Sequence, residues 1–230
     1  MKPVSEKNNF LYLTVGIVLL LFVGAITAQF SSLVGNQLVQ AFSVINIVIG
    51  IYGFRSTQKW FHSGVGIVIS IITVVVVGIA LELLHLYYLH LFLLFCFYLW
   101  AIWLAAKQVL FTGVVDANRI VGAICIYLLM GLIWALMYMF LAQAIPGAFN
   151  GLDQLIWYEN FADVAYYSFV TLTTLGYGDI SPAAPVARFL VYMQAVVGVF
   201  YMAILVASLI GVGIAENSKR QVSADNNNDE

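Results

Sequence analysis

Thr173-Thr174-Leu175-Gly176-Tyr177-Gly178-Asp179 is the stretch from which the rest of the chain can be read. Two glycines one residue apart give the backbone access to φ of either sign with no Cβ penalty. Alternating signs turn successive carbonyls toward one side, which neither a helix nor a strand does. A column of carbonyl oxygens on a common axis can replace the water around a monovalent cation. The Thr174 hydroxyl adds an oxygen at the lower end of that column. One chain supplies one wall, and enclosing an ion takes four.

The surroundings suit such a loop. The 230 residues are 63% hydrophobic and 9% charged, with a mean hydropathy of +0.99. That balance makes the bilayer the solvent. The net charge of -2 gives no hint of a nucleic-acid partner. Cys96 and Cys125 sit inside apolar runs, where a thiol serves as a small hydrophobe, so neither a disulfide nor a metal is expected of them.

Residues 174–178 read T-L-G-Y-G, one conservative change from T-V-G-Y-G. With its flanks, from about residue 161 to 213, this segment resembles the pore of the tetrameric potassium channel family. The resemblance implies a selectivity filter formed by Thr174, Leu175, Gly176, Tyr177 and Gly178, with K⁺ as the permeant ion and no cofactor. It also implies a homotetramer, three further copies completing the pore. Tyr166 and Tyr167 occupy positions where relatives pack aromatic residues around the filter, and are expected to brace Tyr177 and Asp179 from behind. Thr173 belongs to the same support. Val170 stands where some relatives place a carboxylate facing the filter aspartate, so that pair cannot form here. Gly198 falls where relatives have a glycine about which the inner helix bends. Close helix packing is the other reading of that glycine, and both stay open. Gln194 and Ser208 depart from acidic and basic residues of similar inner helices.

The fold expected is an all-α integral membrane protein with six transmembrane helices. Apolar runs at 10–30, 33–54, 64–84 and 86–106 form a four-helix peripheral membrane domain, 1–106. The first run is longer than a secretory signal's apolar core and lacks a small-x-small cleavage site, so it reads as a retained span. Residues 107–118 are a linker. Residues 119–215 are the pore domain: an outer helix to 144, a re-entrant pore helix at 161–173, the filter loop, and an inner helix at 188–215. Residues 216–230 form a polar tail expected to be disordered. In Asn160-Phe161-Ala162-Asp163, Asn160 is a candidate cap and Asp163 suits the positive helix end. With the amino terminus inside, Lys2, Lys7, Arg55, Lys59, Lys107, Arg119, Lys219 and Arg220 fall on the cytoplasmic side of a plasma membrane, and only Arg188 falls outside. Both termini are then cytoplasmic, and the filter enters from the outer face. Asp153, Glu159, Asp163 and Asp179 make its vestibule acidic.

Six spans with a loop between the last two resemble voltage-gated channels, which carry repeating arginines on the fourth. Residues 86–106 contain no Arg or Lys, so membrane potential has almost no handle on them. His85 and His90 project about 140° apart on a helix, and His62 lies at the opposite side of the membrane. The histidines therefore read as interfacial or packed among polar groups, with pH sensing by His85 beside Glu82 as the alternative. A weakly selective cation channel and a non-conducting sensor subunit are the competing functions. No cluster of nucleophile, base or metal ligands within the spans points to an enzyme.

Overall fold

The computed structural model describes residues 9–30, 33–53, 66, 69–78, 84–110, 117–152 and 159–228. Lys2, Lys7, Arg55, Lys59, His62, Glu82 and Asp153, used above for topology, histidines and vestibule, lie outside them. The elements run α1 (Asn9–Phe30), α2 (Leu33–Gly53), α3 (Ile69–Gly78), α4 (Leu84–Leu110), α5 (Ala117–Ala144), β1 (Phe149–Asn150), α6 (Phe161–Leu172), β2 (Ser181–Pro182) and α7 (Pro185–Asn228). The architecture is helical apart from the two-residue antiparallel pairing of β1 with β2.

Four described helices are long and apolar enough to cross a bilayer: α1 over Phe10–Gln29, α4 over His85–Val109, α5 over Ile120–Ala144 and α7 over Pro185–Ser208. α2 and α3 hold shorter apolar stretches, Leu38–Ile51 and Ile69–Gly78. In α2 the apolar run is interrupted by Gln40, Ser43 and Asn46, all of them buried.

Helix ends follow local chemistry. α5 stops at Ala144, just before Pro146 and Gly147, whose φ is +75°. α7 opens on Pro185, whose fixed φ suits a first turn and whose missing N–H needs no partner there. Two boundaries differ most from the sequence reading. α4 continues through Lys107 to Leu110, because no glycine or proline precedes Gly113. The Lys107 ammonium sits 3.5 Å from the centre of the Trp103 ring. α7 is helix as far as Asn228, where a disordered tail was expected from residue 216. No glycine or proline follows Gly213 to end the helix.

One apolar core joins the two expected domains. Leu13, Ile17 and Leu20 of α1, Leu91, Phe97 and Tyr98 of α4, Leu129 and Leu136 of α5, and Phe161 and Val164 of α6 belong to it. In lipid, helices associate through close packing rather than water exclusion, which favours small residues at contacts. Gly24 shows this: a Cβ there would lie 2.8 Å from the Phe161 ring. α1 thus packs directly on the start of α6 and is not confined to a separate peripheral bundle.

Candidate functional site

α6 has 12 residues, about 18 Å of helix at 1.5 Å per residue, too short for a core of about 30 Å. Its amino end carries Asp163 in the first turn. The expected capping by Asn160 does not occur: its φ of -86° and ψ of -2° are helical, and its side chain makes no capping bond. A side-chain cap needs an extended backbone at that position. Asn160 contributes its carbonyl instead, which accepts the Val164 N–H at 2.9 Å.

At the other end, all four last carbonyls of α6 are satisfied, mostly by the loop that follows. Phe169 O accepts the Thr173 N–H at 3.0 Å and the Thr173 hydroxyl at 2.8 Å. Val170 O accepts the N–H groups of Leu175 at 2.9 Å and Gly176 at 3.3 Å. Thr171 O accepts the Thr174 N–H at 2.9 Å. Leu172 O accepts the Tyr127 hydroxyl of α5 at 3.3 Å. A helix end buried without such partners would be costly. Here the orphan carbonyls hold the first half of the loop, and the negative end of the helix dipole stays beside it.

The loop backbone alternates. Thr174, Gly176 and Gly178 have φ of +60°, +57° and +84°, while Leu175 and Tyr177 between them do not lie in the left-handed region. Three residues of one hand interleaved with two of the other turn successive peptide planes in alternate senses. The glycines announce two of those positions. Thr174 is the third, a β-branched residue held at positive φ, an uncommon conformation that persists only where surroundings enforce it. All of 173–179 is exposed in the single chain, with Leu175 at 56% and Tyr177 at 67%.

Behind the loop, Tyr166 and Tyr167 part company. The Tyr166 ring stacks on Tyr177, centroids 6.5 Å apart and planes 8° from parallel, and its hydroxyl donates to the Asp179 carboxylate. That bond holds the Asp179 carboxyl below its ordinary range. Tyr167 packs instead against Tyr138 and Phe149, with centroids at 5.3 and 5.7 Å. Consecutive residues on a helix point about 100° apart, so two neighbouring aromatics cannot both face one loop. Val170 supports the loop through its carbonyl, and Thr173 through its hydroxyl.

The far end of the loop is held by the β1–β2 pairing. Ala148 O accepts the N–H of Ala183 at 2.8 Å and of Ala184 at 3.2 Å. Gly151, at φ +77°, approaches Asp179 so closely that a Cβ would lie 2.4 Å from the Asp179 carbonyl oxygen. Arg188 donates to Pro182 O at 3.3 Å.

α7 closes the site from behind. Gln194 is fully buried; its Oε1 accepts the Tyr138 hydroxyl, and its Nε2 donates to Ser168 O and Oγ, both at 2.9 Å. The Ser168 hydroxyl donates to Gly131 O at 2.7 Å. Gly198 lies against Leu172, where a Cβ would sit 2.4 Å from the carbonyl oxygen. α7 is continuous through it, so of the two readings of this glycine, close packing has a direct geometric reason. Sequence reasoning missed Ser168, Tyr138 and Gly151 and saw Gln194 only as a departure. An uncharged but strongly polar side chain in mid-span was the available signal.

Elsewhere, no group of three or more His, Cys, Asp or Glu among the described residues could hold a metal. His85 is exposed, whereas His90 is buried with Nε2 at 3.4 Å from the Ser43 hydroxyl. Cys96 and Cys125 are free thiols.

No curated protein and no solved structure matches the chain. Residues 122–214 match the family model described as ion channel. With four apolar helices of spanning length, the chain is a membrane protein. That match runs from α5 through the loop into α7 and supports ion channel activity.

Proposed function

We propose that the chain is one subunit of a homotetrameric, potassium-selective channel. The observation that carries this is the alternating backbone of 174–178, exposed on one chain and tied to the carboxyl end of a half-length helix. Carbonyls of Thr174, Leu175, Gly176 and Tyr177, with the Thr174 hydroxyl, form one quarter of a dehydrating cage for K⁺. Gly178 lets the chain leave that cage. Asp179 and its acidic neighbours raise the cation concentration at the mouth.

The exposed apolar side chains of α7, among them Phe189, Phe200 and Ile204, are where neighbouring copies and lipid pack. α2 and α3 contribute the remaining two of six spans. The distribution of Lys and Arg favours both termini in the cytoplasm and the filter facing out of a plasma membrane.

The test is flux from liposomes holding the purified protein. K⁺ exceeding Na⁺ by at least about a hundredfold, and loss of flux in Gly178→Asp with assembly intact, is expected of a filter built on carbonyl coordination. Comparable K⁺ and Na⁺ flux gives a weakly selective cation channel instead. No flux from a well-assembled wild type gives a non-conducting subunit.

A further inference from the structure

α7 meets α6 at two points, and the spacing matches on both helices. Gln194 reaches Ser168, and Gly198 lies against Leu172: four residues apart on α7 and four on α6. At about 3.6 residues per turn, both contacts fall on one face of each helix. The upper contact is polar and saturated. The Gln194 carboxamide accepts from Tyr138 and donates twice to Ser168, whose hydroxyl is itself bonded to Gly131 of α5. The lower contact is steric, since the Leu172 carbonyl leaves no room for a Cβ at 198. Leu172 is the last residue of the helix whose end holds Thr173, Thr174 and Leu175.

We infer that Gln194 is a positioning residue for ion selection, setting the register of α7 against α6 and so the placement of the loop that α6 carries. A buried carboxamide with its acceptor and donor groups engaged has one low-cost orientation, because turning it leaves polar groups unpaired in a dry interior. The same carboxamide joins three elements that sequence holds far apart, through Tyr138, Ser168 and itself. Sliding α7 by one residue breaks three hydrogen bonds and replaces Gly198 with Val197 or Val199 at the Leu172 carbonyl. The upper part of α7, down to Gly198, therefore moves with α6 as one body, and bending of α7 is confined below it.

The inference rests on the channel reading above, and the experiment separates the two. K⁺ and Na⁺ fluxes are measured in liposomes for the wild type, Gln194→Leu, Ser168→Ala and Gln143→Leu. Gln143 accepts the Tyr88 hydroxyl at 3.1 Å between α4 and α5, so Gln143→Leu makes the same chemical change away from the loop. Only protein of wild-type assembled size is compared. Gln194→Leu is expected to lower the K⁺-over-Na⁺ flux ratio by about tenfold and Ser168→Ala by about threefold, with Gln143→Leu unchanged. A ratio is independent of how much protein folds, so reduced yield alone does not move it. Should Gln194→Leu fail to assemble, Ser168→Ala carries the test. Wild-type selectivity in the assembled variants, or an equal fall in Gln143→Leu, overturns the inference while leaving the channel reading standing. No K⁺ flux in the wild type removes the channel reading itself.

Discussion

Thr174 and Asp179 bound the loop, the first held in an uncommon backbone conformation and the second with its ionised form favoured. Thr174 sits at φ +60°, which for an L-residue costs about 1–2 kcal/mol. Its N–H is bonded to Thr171 O, and Leu175 and Gly176 are bonded to Val170 O, so the strain is held by the end of α6. Asp179 accepts from Tyr166, which favours its ionised form. A folded-state pKa below the unfolded value contributes stability at neutral pH, and that contribution is lost as pH falls through the folded value. The change in K⁺ flux that belongs to Asp179 is therefore expected at a pH below that of an unperturbed aspartate. Tyr166→Phe should move that change to higher pH, as a flux–pH profile would read. An unshifted profile in Tyr166→Phe would contradict the assigned bond. At this scale the positive φ of Gly176 and Gly178 was legible in the sequence because only glycine takes it freely. Thr174 was not, because a β-branched residue gives no such sign.

Elements meet where small residues let them. Gly131 of α5 would place a Cβ 2.3 Å from the Phe169 ring, and its carbonyl accepts the Ser168 hydroxyl. Gly131→Ala must therefore displace the Phe169 ring or push α6 off α5, at a cost of about 1–3 kcal/mol for overpacking. Unfolding in detergent should show that loss, and wild-type stability would mean that α5 and α6 are not this close. Gly66 offers the contrast. A Cβ there meets nothing within 4 Å among the described residues, so Gly66→Ala should not destabilise the protein. Helix existence was legible from apolar runs, and α1, α2 and α5 lie within two residues of where those runs put them. Helix partners were not legible. Tyr138 and Gln194 stand 56 positions apart, and no local pattern joins them. Tyr166 and Tyr167 looked alike in sequence, and only the direction each takes from α6 separates them.

The whole molecule distributes burial unevenly. Only 11% of the spanning window of α7 is buried within one chain, against 56% for α5, as the proposed tetramer requires of a helix that faces neighbouring copies and lipid. Composition told in advance that the solvent is lipid, but the number of copies is not written in one chain's residues. α4 has Lys107 in its last turn and no other Arg or Lys. Each charge carried across the field is worth about 2.3 kcal/mol per 100 mV, so open probability in planar bilayers is expected to vary little with voltage. A steep voltage dependence, equivalent to many elementary charges, would mean that a charged element outside α4 moves through the field.

The central claim is that four copies of residues 174–178 surround one ion path. Crystals grown in lipid with Rb⁺ in place of K⁺ test it directly through anomalous scattering. The account predicts a file of Rb⁺ peaks on a fourfold axis, ringed by the carbonyl oxygens of Thr174, Leu175, Gly176 and Tyr177. A monomer or dimer with that loop facing lipid or solvent, and no Rb⁺ beside it, would contradict it.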